Sequence, residues 1–517
     1  MIDDFEGYCT GKSELEKFGV YSFGQITSEI SNHEIKTEAD LGNRFISIRQ
    51  TGHFIFGGWG KGIGACVNLN ENEDYLNFYL RGNQNSCKDT LKIILQEDDN
   101  EDGKFKQSAD DEWILNPTLT ITKKWTLISF SLKELRDNNE GGDGKFNIGY
   151  KSGKLINLIV SFSKKENKKI QYDIDFINFS RGDLSDVKKA SEIKKEEIFC
   201  CLGAWTNTHE STHFTDIAKK FESHFSQFEN KKKIGIIHIF QPLNLSDTLN
   251  KDSYFSVEKI NEIIYENYIP MITLENRFNG EEKKDKQPNL ENIIKGTFDA
   301  YFQSIAQIIK KVDGMVLLRI LHEFNGDWYP WCIAKNKHQP ELFVKSFRHI
   351  HELFKRADVQ NVKFIWCPNS MSIPQTSWND IQLAYPGDEY VDYVGMDIYN
   401  GAGKSELWKS FLTEGIENYF VLTDYYPSKP IFVCETASRE RNPGEKSNRQ
   451  SKGEWIEQMA TTIKKNMPKV CLLSWFNETD SFKINSSNES LQSFYQFIMS
   501  DDYFKTGIEY VYYILRE

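Results

Sequence analysis

Met315-Val-Leu-Leu-Arg-Ile-Leu-His-Glu-Phe324 is the stretch on which the fold turns. It is too continuously apolar for a strand with one wet face and reads as a strand buried on both faces, the mark of a parallel sheet. Seven runs of the same kind lie around it: Phe199–Trp205, Lys233–Gln241, Ile269–Asn276, Val362–Asn369, Val391–Asn400, Pro430–Ser438 and Val470–Thr479. Amphipathic stretches with helical spacing separate most of them, most clearly Val257–Tyr268, Leu290–Lys310, Pro340–Arg356 and Arg449–Asn466. Eight strand–helix units close naturally into an α/β (β/α)8 TIM barrel. The barrel is expected over residues 198–500.

Residues 1–183 have another rhythm. Phe45-Ile-Ser-Ile-Arg49, Tyr75-Leu-Asn-Phe-Tyr-Leu80, Leu91-Lys-Ile-Ile-Leu95 and Leu155-Ile-Asn-Leu-Ile-Val160 alternate apolar with polar, and acidic, turn-rich segments divide them. Many short strands with almost no helical spacing predict an all-β, antiparallel sandwich. The charged run 184–197 reads as a linker, and 501–517 as a C-terminal extension. Within it, Tyr510-Val-Tyr-Tyr-Ile-Leu515 is expected to be a strand on the barrel exterior or against the sandwich.

The bulk properties narrow the partners. Lys+Arg 63 against Asp+Glu 75 gives a net charge of −12, which argues against nucleic acid and anionic membrane and suits a neutral ligand. No apolar run approaches the roughly 20 residues that span a bilayer. Met1 leads at once into the strand-like Ile2-Asp-Asp-Phe-Glu-Gly-Tyr8, so no signal peptide is expected within this chain. The preferred expectation is an extracellular protein trimmed to its mature start, with cytoplasmic residence as the alternative, and a monomer. Nine cysteines, without metal-ligand spacing, read as buried free thiols rather than a disulfide framework.

In a barrel enzyme the polar residues at strand C-termini face the active site. Here the strand ends supply Trp205 and His209, Glu323, Asn369, Asp397 with Tyr399, Glu435, and Trp475, in that order. A glutamate inside a run as apolar as Pro430-Ile-Phe-Val-Cys-Glu-Thr-Ala437 is costly to bury without a reason. One such residue can be structural, satisfied by an Arg or Tyr. Two, on strands four and seven and among aromatics, match what a glycosidase needs: a protonated carboxyl at the leaving oxygen and a carboxylate below the anomeric carbon. No metal or other cofactor is expected in catalysis.

Arg319-Ile-Leu-His-Glu-Phe-Asn-Gly-Asp-Trp-Tyr-Pro-Trp331 resembles the R-x-x-H-E-x-N-G-x-W signature of glycoside hydrolase family 26, best known for β-mannanases. Phe364-Ile-Trp-Cys-Pro-Asn369, Asp392-Tyr-Val-Gly-Met-Asp-Ile-Tyr399 and Lys429-Pro-Ile-Phe-Val-Cys-Glu-Thr-Ala437 follow in family order. The resemblance implies a retaining endo-β-glycanase with Glu323 as acid/base and Glu435 as nucleophile. It implies that His322 bonds the sugar at the catalytic subsite, that Arg319 and Tyr399 hold the nucleophile ionised and oriented, and that Asp397 fixes the network around them. Trp475 would be the platform under the sugar, with Trp328, Trp331 and Trp366 walling the cleft. His209, Asn369 and Trp205 would be substrate or supporting contacts.

The match is imperfect after the acid/base. Mannanases of the family commonly read W-F-W-W-G there, whereas Trp328-Tyr-Pro-Trp-Cys332 is similar to members that cleave mixed-linkage β-glucan or β-1,3-xylan. The expected partner is thus a β-glycan polysaccharide or oligosaccharide: β-1,4-mannan by family default, the other two close behind. The alternative from another class is a non-catalytic glycan-binding protein on a decayed barrel. Ile2–Tyr8 and Gln171–Phe179 resemble the first and last strands of jelly-roll carbohydrate-binding modules. That implies a jelly-roll sandwich, with Glu6 and Asp175 as candidate ligands of a structural Ca2+ and Trp59 as a candidate sugar-binding aromatic.

Overall fold

The structure, a computed structural model, describes residues 2–33, 43–51, 56–65, 69–83, 87–149, 153–163, 171–181, 183, 199–206, 213–228, 232–243, 255–275, 287–401, 407–441, 450–478, 481–505 and 510–511. The expected linker, 184–197, lies outside them, as does His209. The chain forms two compact units: residues 1–193 with 407–413 and 441–450, and the remainder from 194 onward.

The first unit is built of two antiparallel sheets. One runs in the order Val20–Gly24, Phe56–Ala65, Leu155–Ser163, Cys87–Glu97, Glu112–Leu115 and Arg136–Asp137, with Thr118–Ile121 also on Cys87–Glu97. The other runs Ile26–Asn32, Arg44–Gln50, Gln171–Arg181, Asp74–Gly82 and Thr126–Ser131. All four alternating segments singled out in the sequence are strands here. Their apolar faces form one core, in which Ile46, Ile48, Phe78, Leu95 and Val160 from both sheets meet. Trp59 is in that core, with none of its surface exposed, so it is no sugar platform. Gly58 and Gly60 serve the strand's packing, since a Cβ on Gly58 would come within 2.4 Å of the Val160 carbonyl oxygen.

The second unit holds eight parallel strands: β1 Cys200–Thr206, β2 Ile236–Pro242, β3 Ile269–Glu275, β4 Val316–Arg319, β5 Val362–Trp366, β6 Tyr393–Asn400, β7 Ile431–Ser438 and β8 Val470–Asn477. Each pairs with the next, and β1 pairs with both β8 (Cys201 with Leu472) and β2 (Gly203 with Ile236), so the barrel is closed. Side chains including Cys201, Ile236, Met271, Leu317, Ile365 and Phe432 fill the interior as a layer of core, not a pore.

Helices α1 Thr215–Ser223, α2 Val257–Tyr265, α3 Leu290–Ile294, α4 Asp299–Lys310, α5 Pro340–Arg356, α6 Phe411–Tyr425, α7 Lys452–Lys465 and α8 Asn488–Phe494 alternate with the strands. Local chemistry sets their ends. Pro340 opens α5 at a position where its missing N–H costs nothing, and Ser451 with Glu454 makes a capping box for α7. The single helix expected over Leu290–Lys310 is two. Gly296 adopts φ +80°, a left-handed conformation that ends α3, and α4 starts afresh three residues on. Of the strand expected at 510–515, only Tyr510 and Val511 lie within the described residues, and they are not a strand. Phe504–Lys505 pairs with β1, while Val511 is buried in the interior core and Tyr510–Val511 are helical. Cys9, Cys200, Cys201, Cys332, Cys367 and Cys434 are buried free thiols, as the sequence led one to expect. Among the described residues, no helix is long and apolar enough to cross a membrane.

Candidate active site

Two residues beyond the core layer, the inward-facing positions of the barrel turn polar. His238, Thr273, Arg319 and Asp397 stand there, all fully buried. Arg319 organises them. Its Nε donates to Thr273 Oγ1 at 2.8 Å, Nη1 lies 2.7 and 2.6 Å from the two Asp397 oxygens, and Nη2 donates to Glu435 Oε1. Tyr399 donates its hydroxyl to the other Glu435 oxygen at 2.6 Å. Thus Arg319, Asp397, Tyr399 and Glu435, four residues picked from the sequence, meet in one network.

Glu435 reaches that network through an irregularity. Phe432 and Cys434 face the barrel interior, so strict alternation would send Glu435 outward. Between the pairs Met396–Val433 and Asp397–Glu435 the β6–β7 register slips by one residue. This bulge makes Cys434 the extra residue and turns Glu435 inward beside Asp397.

Glu323 is re-aimed in another way. β4 ends at Arg319, so Glu323 sits in the turn after the strand rather than on it, as the sequence had suggested. Leu321 and Glu323 take φ +50° and +52°, a left-handed backbone that costs on the order of 1–3 kcal/mol at a non-glycine residue. The Glu323 N–H donates to the Cys367 carbonyl at 2.8 Å, which pins the turn to β5. Asn325 clips the same two loops together, its side chain bonding both the N–H and the carbonyl of Asn369.

The Glu323 carboxyl has a nearly buried setting, with Trp328 Nε1 donating to Oε2 at 2.8 Å. Burial pushes its pKa up to about 8; Asp397 and Glu275 push the same way, against Arg319 and Trp328. The charge balance explains this. Arg319 is already spent on Asp397 and Glu435, so a third carboxylate charge would have no counter-ion.

His322 is neutral, its pKa driven far down by burial and by the charge of Arg319. Its Nε2 lies 3.1 Å from the Tyr329 hydroxyl, which itself donates to Glu275 at 3.1 Å. Since that hydroxyl has one hydrogen and gives it to a carboxylate, His322 must be the donor at Nε2. Its buried Nδ1 then remains an acceptor without a partner among the described residues. Trp331 is buried beneath, stacked on Tyr329 at 4.6 Å and donating to the His322 carbonyl. Only Trp328 of the three candidate wall tryptophans is exposed, at 39%.

Trp366 and Trp475 do not join the site. Ile365 and Cys367 face the barrel interior, and Trp366 between them faces out, packed on Phe324, Tyr385 and Tyr426 with Nε1 on the Ala384 carbonyl. Leu472 faces in, and Trp475 three residues later faces out against Trp455 of α7 and Phe494 of α8. Each is a core residue, whose truncation to Ala would cost about 3–5 kcal/mol of fold. Phe476, next to Trp475, points inward instead. It stacks on Trp205 with ring centres 4.8 Å apart and meets Tyr399 edge-on at 5.8 Å. Asn369 is half-buried and commits its amide nitrogen to the Met371 carbonyl, a loop-shaping role. Glu275, His238, Thr273, Tyr329 and Phe476 were not picked from the sequence. The inward phase of their strands, counted from Met271 and Leu472, would have found Thr273, Glu275 and Phe476.

Cys367, Asp397 and Cys434 have ligand-type atoms within 4.8 Å of one another. Arg319 Nη1 already occupies that place with its own positive charge, 2.6 Å from Asp397 and 3.6 Å from Cys367 Sγ. In the first unit, Glu6 and Asp175 are both buried. Glu6 Oε1 accepts the N–H groups of Asn43 and Arg44, while Asp175 accepts that of Phe176 and approaches His33 at 3.2 Å.

The model of glycosyl hydrolase family 26 matches residues 281–425, the span that holds Arg319, Glu323, Asp397 and Tyr399. Over that span the barrel is similar to glycosyl hydrolase family 26. Endoglucanase H of Acetivibrio thermocellus is 32% identical over 305 residues, covering 57% of this chain and 30% of that protein. A mannan endo-1,4-beta-mannosidase of Bifidobacterium adolescentis is 24% identical over 193 residues, 35% of this chain and 19% of that one. A beta-1,3-xylanase of Alcaligenes sp is 25% identical over 189 residues, 33% of this chain and 36% of that one. This chain thus spans between 19% and 36% of the length of these curated relatives. Among solved structures, GH26C from Muricauda sp. MAR_2010_75 is similar at a TM-score of 0.47 and 16% identity, over 60% of this chain and 89% of that one.

Proposed function

We propose that this chain is a retaining endo-β-glycanase, with Glu435 as nucleophile and Glu323 as acid/base. One observation carries the reading: two carboxyl groups in the same barrel mouth have opposite environments. Glu435 is gripped by the Arg319 guanidinium and the Tyr399 hydroxyl, while Glu323 is held protonated by burial. In the first step Glu435 would attack the anomeric carbon as Glu323 gives its proton to the departing glycosidic oxygen. In the second, Glu323 would take a proton from water, which attacks the same carbon and frees Glu435.

For the substrate we favour β-glucan over β-mannan. The longer and stronger similarity is to an endoglucanase, 32% over 305 residues against 24% over 193 for the mannosidase. The Trp328-Tyr-Pro-Trp331 departure supports this, because the Tyr329 hydroxyl, absent from the Phe of W-F-W-W-G, ties down His322 Nε2. A reducing-sugar assay on mixed-linkage β-glucan, β-1,3-xylan and β-mannan tests it. Release of new ends fastest from mixed-linkage β-glucan is expected. No release from any of the three would favour the decayed, glycan-binding barrel. Tyr329→Phe should lower kcat/KM on the preferred glycan roughly 3–10-fold, the value of one neutral hydrogen bond, and an unchanged kcat/KM would remove the argument from His322.

The pH profile tests the acid. The active form carries the Glu323 proton, so the rate should hold below about 8 and decline above it. Trp328→Phe removes a donor that favours the charged form, so it should move the alkaline limb upward. A limb that stays put or moves down would contradict the assignment.

A polysaccharide of this kind is met outside the cell, and an extracellular enzyme is part of the same reading. The antiparallel sheets of the first unit suit the jelly-roll plan of carbohydrate-binding modules, with Ca2+ at Glu6 and Asp175 as part of the same reading. With Trp59 buried, that unit would serve as a structural module unless another surface binds glycan. Retention of the full chain on insoluble β-glucan after Glu435→Ala, compared with the chain lacking 1–183, separates the two.

A further inference from the structure

At the end of the Cys87–Glu97 strand the chain enters an acidic loop and returns through Asp110-Asp-Glu112. The two ends are joined by the Glu97 N–H on the Asp111 carbonyl at 3.0 Å and the Asp111 N–H on Asp99 Oδ2 at 2.8 Å. Five acids crowd this junction, and they divide in two. Asp98 spends its oxygens on the N–H groups of Asp102 and Gly103, and Asp110 on those of Asn100 and Lys106. Glu97, Asp99 and Asp111, alternating with them, each keep one buried oxygen with no hydrogen-bond partner among the described residues: Oε1, Oδ1 and Oδ1. Glu97 and Asp111 have none of their surface exposed.

We propose that Glu97, Asp99 and Asp111 form a cation site that takes Ca2+. Their ligand oxygens all lie within 4.8 Å of one another, the span across an ion bonded to oxygen at about 2.4 Å, as Ca2+ is. Oxygen-only donors on irregular backbone suit Ca2+ better than the strict octahedron of Mg2+. The approach to them is kept open by glycine. A Cβ on Gly142 would come within 2.0 Å of Asp111 Oδ1, and one on Gly153 within 2.6 Å of Glu97 Oε1.

Without a cation the arrangement is electrostatically expensive. Burial, then mutual repulsion, pushes Glu97 up to about 8, though Trp113 opposes it, and burial pushes Asp99 up to about 6. Among the described residues no Lys or Arg forms an ion pair with any of the three. The remaining coordination would come from water and backbone carbonyls. The ion would fasten the strand end to the return of its own loop, and is separate from any ion at Glu6 and Asp175.

Trp113 provides the readout, since its Nε1 donates to Glu97 Oε2 at 3.0 Å. The full chain, stripped with a chelator, should give tryptophan-sensitised Tb3+ luminescence that Ca2+ quenches by competition and equal Mg2+ does not. Its first thermal transition should rise by several degrees in millimolar CaCl2. Asp99→Asn, at a half-buried position, should weaken the luminescence at least tenfold and shrink the thermal shift, and Asp99→Asn with Asp111→Asn should abolish the luminescence. Glu6→Gln should leave the luminescence intact. Wild-type protein with neither response would overturn the proposal, even if the double variant does not fold. So would responses that survive Asp99→Asn undiminished or disappear with Glu6→Gln.

Discussion

Glu435→Ala is expected to lower kcat by roughly 10^4-fold or more, the scale on which loss of a catalytic group acting within a unit is felt. Among the described residues, its carboxylate neighbours Asp397 and Glu323 are not positioned to replace it. Asp397 is buried and taken by both of its oxygens on Arg319 Nη1, and Glu323 is in a separate turn on the Trp328 indole. The fold should survive, because Arg319 keeps Asp397 and Thr273 as partners. Azide, small enough to occupy the vacated space, should restore part of the turnover and yield a glycosyl azide of inverted configuration. A variant that keeps more than a few per cent of its rate without azide would show that the nucleophile lies elsewhere.

Arg319→Met should damage both stability and rate. The side chain is fully buried, and it is the shared counter-charge of Asp397 and Glu435. Removing one partner of a buried ion pair leaves a charge without compensation, at a cost of about 3–5 kcal/mol. Two carboxylates are stranded here, so the upper end of that range is expected in urea unfolding monitored at the barrel. Turnover should collapse as well, since Glu435 loses the group that orients it. Arg319→Lys should rescue little of either, because one ammonium cannot present three separate donors to Thr273, Asp397 and Glu435. Near-normal stability of Arg319→Met would mean that the network is not what holds this layer of the barrel.

The sequence makes the eight strands plain because burial on both faces leaves no polar alternation to confuse them. Glu323 and Glu435 stand out for a related reason: a carboxylate in an apolar run demands a use. Side-chain direction is harder to read. In β5 and β8 the adjacent residues Ile365 and Trp366, or Trp475 and Phe476, are all apolar, so composition does not tell which faces the cleft. The barrel's closure decides it, and it sends both tryptophans outward. The bulge at Cys434 leaves no local signal at all, yet without it Glu435 would face the helices. Trp59 is not a surface aromatic because the glycines beside it make room for neighbouring strands over it. By contrast, the break between α3 and α4 at Gly296 was readable, since an isolated glycine in a helical pattern is a natural place to stop.

Covalent trapping tests the central claim most directly. A 2-deoxy-2-fluoro glycoside with a good leaving group, built on the sugar released fastest in the polysaccharide assay, slows the second step more than the first. Incubated with the full chain and digested, it should leave one fluoroglycosyl adduct, on the peptide that contains Glu435, and the adduct should be absent from Glu435→Ala. An adduct on Glu323, or turnover of the polysaccharide with no adduct and an inverted first-formed anomer, would contradict the account.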